Sequence, residues 1–120
     1  MQAQQYFQST ASVIVDDGRT EALHRCRSLL ESEGFGVSRV KARNVKRGDE
    51  GADLLASNNG RVVRVLVVVG RELDSPCTRS RIRVAIRGGE TRLYVPWPLR
   101  WRALSNLERW NILGVAVAAW

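Results

Sequence analysis

The fold turns on the stretch Gly51–Gly70, GADLLASNNGRVVRVLVVVG. Ala52–Ser57 and Arg61–Val69 each read as a strand, and Asn58-Asn59-Gly60 joins them. Two-residue hairpin turns need positive φ, which Asn and Gly tolerate, so this is a strong hairpin signal. The run Val65–Val69 is apolar at every position, so both faces of that strand need cover and the strand belongs at the centre of a sheet. Asp53 is the single carboxylate of the stretch.

Upstream, Ala22, Leu23, Cys26, Leu29 and Leu30 recur at helical spacing and form one apolar face. Asp16 or Asp17 caps this helix, Glu21 suits its first turn, and Gly34 ends it. Ser12–Val15 reads as a short edge strand, and Lys46–Gly51 as a charged loop. Gly36–Val45 reads as a strand with Arg39, Lys41 and Arg43 on one side and Ser38, Val40 and Ala42 on the other.

Downstream, Arg71–Ser80 is polar, contains Pro76 and reads as a loop. Arg81–Arg87 alternates, with Ile82, Val84 and Ile86 opposite Arg81, Arg83 and Arg87, which predicts a strand. Gly88-Gly89 turns the chain into a strand over Thr91–Val95, which Pro96 and Pro98 stop. Arg100–Leu113 has helical periodicity, with Trp101, Leu104, Leu107 and Ile112 as its apolar side. Gly114–Trp120 is either a last strand or a packing arm. The expectation is a polar segment over 1–11 and a single α/β domain over 12–120. Its core is a mixed sheet of about five strands, flanked by an N-terminal and a C-terminal helix.

A chain of 120 residues can bury one core but not two. It has no apolar run near the ~20 residues that span a membrane. The polar N-terminus does not read as a secretory signal. Two cysteines make no disulfide framework, so a cytoplasmic, reduced setting is expected. Cys26 falls on the apolar helix face as a core residue. The single histidine, His24, lies beside that helix's apolar stripe as a surface or boundary residue, and one histidine rules out a Cys/His metal cluster.

The net charge is +7. Residues 1–60 hold 8 basic and 8 acidic side chains; residues 61–120 hold 11 basic and 4 acidic, so the second half carries the excess. Seventeen of the 19 basic residues are arginine, which binds phosphate bidentately and stacks on bases.

A helix followed by three strands, with Gly51-x-Asp53 opening the second of them, resembles the PD-(D/E)xK, or restriction-endonuclease-like, nuclease superfamily. The resemblance spans residues 18–72. It implies that Asp53 binds a divalent metal, Mg²⁺, and that a Glu-x-Lys pair on the next strand completes the site. Those two positions fall on Val67 and Val69, and a hard cation needs oxygen ligands that valine lacks. A hairpin over Arg81–Val95, where the family often has a helix, is a further departure. Glu21, Glu31, Glu33 or Glu72 could rebuild the acidic set, with Arg39, Lys41 or Arg43 in place of the lysine. The other reading of Asp53 is a residue at a strand start that bonds nearby backbone amides.

Three functions compete. The first is a non-catalytic nucleic-acid-binding domain on a nuclease-like core, which needs no cofactor and takes DNA in preference to RNA. Its contacts are Arg39, Lys41, Arg43, Arg81, Arg83, Arg87, Arg92, Arg100 and Arg102, because like charges along one strand face repel until phosphate neutralises them. Solvated or edge-protecting strands are the alternative reading of the same arginines. Trp97 and Trp101, set among arginines, are either base-stacking groups or packing anchors. The second function is a Mg²⁺-dependent nuclease with a site rearranged around Asp53. The third is an interaction module, a homodimer or a subunit of a larger complex, joined through the apolar tail Val115–Trp120.

Overall fold

The computed structural model of the chain describes residues 18–40 and 51–120. The Ser12–Val15 strand, the Asp16 or Asp17 cap, Lys41, Arg43 and most of the charged loop lie outside those residues. In chain order the elements are α1 (Arg19–Ser32), β1 (Gly36–Arg39), β2 (Leu54–Asn58), β3 (Arg61–Val67), α2 (Pro76–Gly88), β4 (Thr91–Val95), α3 (Arg100–Arg109) and β5 (Val115–Ala119). Short 3-10 turns at Gly70–Glu72 and Trp97–Leu99 lead into α2 and α3. None of the helices among the described residues is long and apolar enough to cross a membrane.

The five strands form one mixed sheet in the order β1-β2-β3-β4-β5. β1, β2 and β3 are antiparallel neighbours, whereas β3, β4 and β5 run parallel. The hairpin between β2 and β3 pairs Asn58 with Arg61, and Asn59 and Gly60 take φ 51 and 84 between them. Each parallel pair needs a crossover, since a tight turn cannot join strands that run the same way. α2 makes the first crossover and α3 the second.

β3 is covered on both faces. Val63, Val65 and Val67 pack with Ala22, Cys26 and Leu30 of α1. Leu66 and Val68 pack on the other side with Ile82 and Ala85 of α2 and Ala103 and Leu107 of α3. Layers of helix, sheet and helix result, with the apolar run that starts at Val65 in β3 as the spine. The tail is a strand, and Val115 and Val117 pack under α3.

Arg81–Arg87 is helix, not strand. Residues 82, 84 and 86 alternate, but Thr78, Ile82 and Ala85 also fit one helical face, and these are the buried residues of α2. The start signal lies in the segment read as a loop. Ser75 caps the helix by accepting a hydrogen bond from the Cys77 N–H at 3.1 Å, and Pro76 holds the first helical position, where its missing N–H costs nothing. The domain therefore has three helices among the described residues instead of two. α1 starts from Gly18, which makes no side-chain cap. α3 stops at Arg109, four residues short of the expected Leu113. Its buried side is Ala103, Asn106 and Leu107, while Trp101 and Leu104 are exposed.

Candidate functional site

Asp53 lies at the end of β2 nearest the C-terminal end of β3. Its backbone N–H donates to the Val65 carbonyl at 2.8 Å, and its carbonyl accepts from the Val40 N–H at 3.0 Å. The carboxylate is nearly buried, with 13% of the side chain exposed. Oδ1 meets Arg19 Nη2 at 2.5 Å. Oδ2 accepts from the Val67 N–H at 2.8 Å and faces Arg81 Nη2 at 2.8 Å. Arg19 comes from the first residue of α1 and Arg81 from the middle of α2, so one carboxylate ties both helical layers to the sheet.

Arg19 also donates through Nη1 to the Val67 carbonyl at 3.1 Å and to Glu72 Oε1 at 3.2 Å. Glu72 in turn accepts from the Val69 N–H at 3.3 Å. The guanidinium of Arg19 thus bridges two carboxylates, and with Arg81 the four charges cancel. Val67 and Val69 enter this centre through their backbone groups, and their side chains lie in the α1-side core.

The donor set does not fit a divalent metal. Both Asp53 oxygens are taken by guanidinium and amide donors, and a cation beside them would face two positive charges. Glu21, Glu31 and Glu33 are held elsewhere, by Arg25, Arg27 and Arg92. Among the described residues, no three His, Cys, Asp or Glu side chains gather as a metal-binding group. The arrangement acts as a charge-neutral clamp. Asp53 does bond a nearby backbone amide, as one of its two sequence readings expected.

Gly51 has its own place in this clamp. It holds φ 87, and a Cβ there would sit 2.5 Å from the Arg81 carbonyl oxygen. Arg81 Nε donates to the Gly51 carbonyl at 3.2 Å. The glycine of the Gly-x-Asp pattern is therefore explained by the close approach of α2. Gly51→Ala is expected to lower the unfolding free energy by about 2–3 kcal/mol, from left-handed strain plus the clash, as read by urea denaturation.

Cys26 sits in the α1-side core with no exposure. Burial, and next the negative charge of Asp53, push its thiol up to about 12. Cys77 is exposed. With a thiol reagent at neutral pH, one cysteine should react rapidly and Cys26 only on unfolding. Because the folded state keeps a proton that the unfolded chain loses near pH 8.5, stability should decline as pH rises from about 8.5 towards 12. Two equally fast thiols would contradict this placement.

Comparison of the chain with known protein families, characterised proteins and solved structures gives no match.

The arginines expected to bind phosphate divide sharply. Arg81 is committed to Asp53. Arg92 is mostly buried, pairs with Glu33 at 3.0 Å and lies over the Phe35 ring. Arg102 is paired with Asp74. Arg39 is exposed at the sheet edge in β1. Arg100 lies over Trp101, its guanidinium carbon 5.9 Å from the ring centre. Arg83 and Arg87 are exposed on α2. Lys41 and Arg43 lie outside the described residues.

Once the segment is seen as a helix, a different set comes together. Arg79, Arg83 and Arg87 are spaced by four, so they form one stripe along α2. None pairs with a carboxylate among the described residues. Arg83 donates instead to the Trp110 carbonyl at 3.0 Å, at the end of α3. Arg109, one residue before it, lies over the Trp110 ring. Arg79 was missed because it falls in the segment read as a loop, and the strand reading put Arg81 on the exposed face in its place. A helical wheel over Pro76–Gly88 recovers Arg79.

Proposed function

We propose that this chain binds the phosphate backbone of nucleic acid through the outer face of α2, on a non-catalytic core similar to that of the PD-(D/E)xK nucleases. One observation carries the reading. Arg79, Arg83 and Arg87 stand in line about 6 Å apart along the helix axis, without carboxylate partners among the described residues, unlike Arg25, Arg27, Arg61, Arg92 and Arg102. Like charges at this spacing repel, and a row of phosphates relieves that repulsion while releasing counterions. Arg109, at the neighbouring end of α3, widens the stripe.

Several features support the nuclease-like core. A helix precedes three antiparallel strands, Gly51-x-Asp53 opens the second, and α2 occupies the place where the family often has a helix. The catalytic half is what differs. Valines stand at the Glu and Lys positions, and Arg19 and Arg81 neutralise Asp53. Binding without cleavage follows, with DNA taken in preference to RNA and no cofactor required.

The test is fluorescence anisotropy with a labelled DNA duplex, a matching single strand and an RNA duplex, titrated with salt. Salt-sensitive binding supports the reading. Absence of binding to any of them at low salt overturns it.

A further inference from the structure

We infer that two copies of this chain pair through the outer edge of β5, with α3 packed against its counterpart. The two edges of the sheet differ in kind. β1 is short and carries Arg39, and charge of this sort protects an edge from pairing. β5 reads Val-Ala-Val-Ala-Ala, with no charge, proline or bulge. Trp120 exchanges backbone bonds with Val95 and Trp97 across the β4 side. By strand alternation, Val115, Val117 and Ala119 turn their N–H and C=O groups outward, where β5 has no strand partner among the described residues.

Exposed apolar side chains border the same edge on both faces. On the α1 face, a groove of about 460 Å³ runs between His24, Arg25, Ser28 and Leu29 of α1 and Ala119 and Trp120. On the other face α3 lies over β5. Asn106 of α3 donates to the Leu73 carbonyl and to Asp74, towards the start of α2. Ala103 and Leu107 face the sheet. Helical periodicity then directs Arg100, Leu104 and Glu108 to the opposite flank, over the open edge. Trp101 beside them is 76% exposed, and Leu104 36%.

Charge decides in favour of a second copy as the occupant. Arg100, Leu104 and Glu108 are spaced by four and symmetric about Leu104. A two-fold axis through antiparallel β5 strands also sets the two α3 helices antiparallel. With Leu104 meeting Leu104, the Arg100 of each copy faces the Glu108 of the other. Neither residue has an ion-pair partner among the described residues. The stripe is therefore complementary to itself, and both Trp101 rings cover its flank. This pairing gives a sheet of twice the width, with both α2 arginine stripes on one face.

Sedimentation equilibrium over a range of concentrations tests the inference. The expected result is a monomer–dimer equilibrium. Leu104→Lys should abolish it, leaving circular dichroism and the melting temperature of the monomer nearly unchanged. Arg100→Glu and Glu108→Arg, each alone, should raise the dissociation constant about tenfold or more by facing like charges, and the two together should restore it. A monomer at every concentration overturns the pairing, including the case in which another part of the chain covers β5. So does a dimer that ignores Leu104→Lys, or one in which the charge reversals fail to compensate. Nucleic-acid binding is read separately with the monomeric Leu104→Lys variant, so the α2 surface is tested independently of this one.

Discussion

Asp53→Ala is expected to lower the unfolding free energy by about 3 kcal/mol, the low end of the cost of breaking a buried charge pair. The substitution leaves the guanidiniums of Arg19 and Arg81 facing each other across the vacated carboxylate and removes the acceptor of the Val67 N–H. Both arginines keep about a third of their side-chain surface in solvent (29% and 30%), so water screens part of the repulsion and the full buried-pair cost is not reached. Asp53→Asn should fall between, because it keeps an acceptor and loses the charge. The urea midpoint should fall with an unchanged slope, since the transition exposes the same surface. A carboxylate held ready for a metal behaves in the opposite way. Neutralising it without the ion leaves stability unchanged or raises it, because its charge was uncompensated. Destabilisation by Asp53→Asn therefore separates the clamp from a rebuilt metal site. Arg81→Met combined with Asp53→Asn should cost less than the two single changes added together, as expected of residues in contact.

The sequence was a good guide wherever one periodicity dominated. The β2–β3 hairpin followed from Asn59-Gly60 and from the apolar run of β3, which only a doubly covered strand tolerates. The segment 81–87 was ambiguous because isoleucine, valine and isoleucine at every second position also leave a helical face once Thr78 and Ala85 are counted. Ser75-Pro76 would have resolved it, since that pair caps and starts a helix. The tail was legible as strand-like in composition, but its parallel pairing with β4 depended on α3 as a crossover. The clamp was half legible. Asp53 stands out as the hairpin's only carboxylate, whereas Arg19 and Arg81 are 34 residues before and 28 after it, and nothing local marks them. Trp101 and Leu104 were placed inside on the strength of their apolarity. The small residue Ala103 was the true contact, because α3 packs close to the sheet.

A large loss of binding should come from replacing Arg79, Arg83 and Arg87 together by glutamine. If each neutralises one phosphate of duplex DNA, the slope of log affinity against log salt should become shallower by about 2.7. That follows from about 0.9 per contact, and it is a stricter measure than affinity at one salt concentration. Glutamine keeps the helix and its polar surface, so loss of binding cannot be attributed to unfolding; glutamate at the same positions should abolish binding by repulsion. Arg102→Gln and Arg25→Gln serve as the comparison. Each removes one positive charge from the chain, but from a side chain already held by Asp74 or Glu21. They should change the slope little, which distinguishes a located contact from the attraction of net charge alone. An equal loss from Arg25→Gln and from Arg83→Gln would mean that the +7 charge acts diffusely and that the α2 stripe has no special role. Arg83 also donates to the Trp110 carbonyl, so its single substitution should cost a little stability in addition to affinity. Arg87, exposed and without such a bond among the described residues, should lose affinity alone, which makes Arg87→Gln the cleanest single test of phosphate contact on this face.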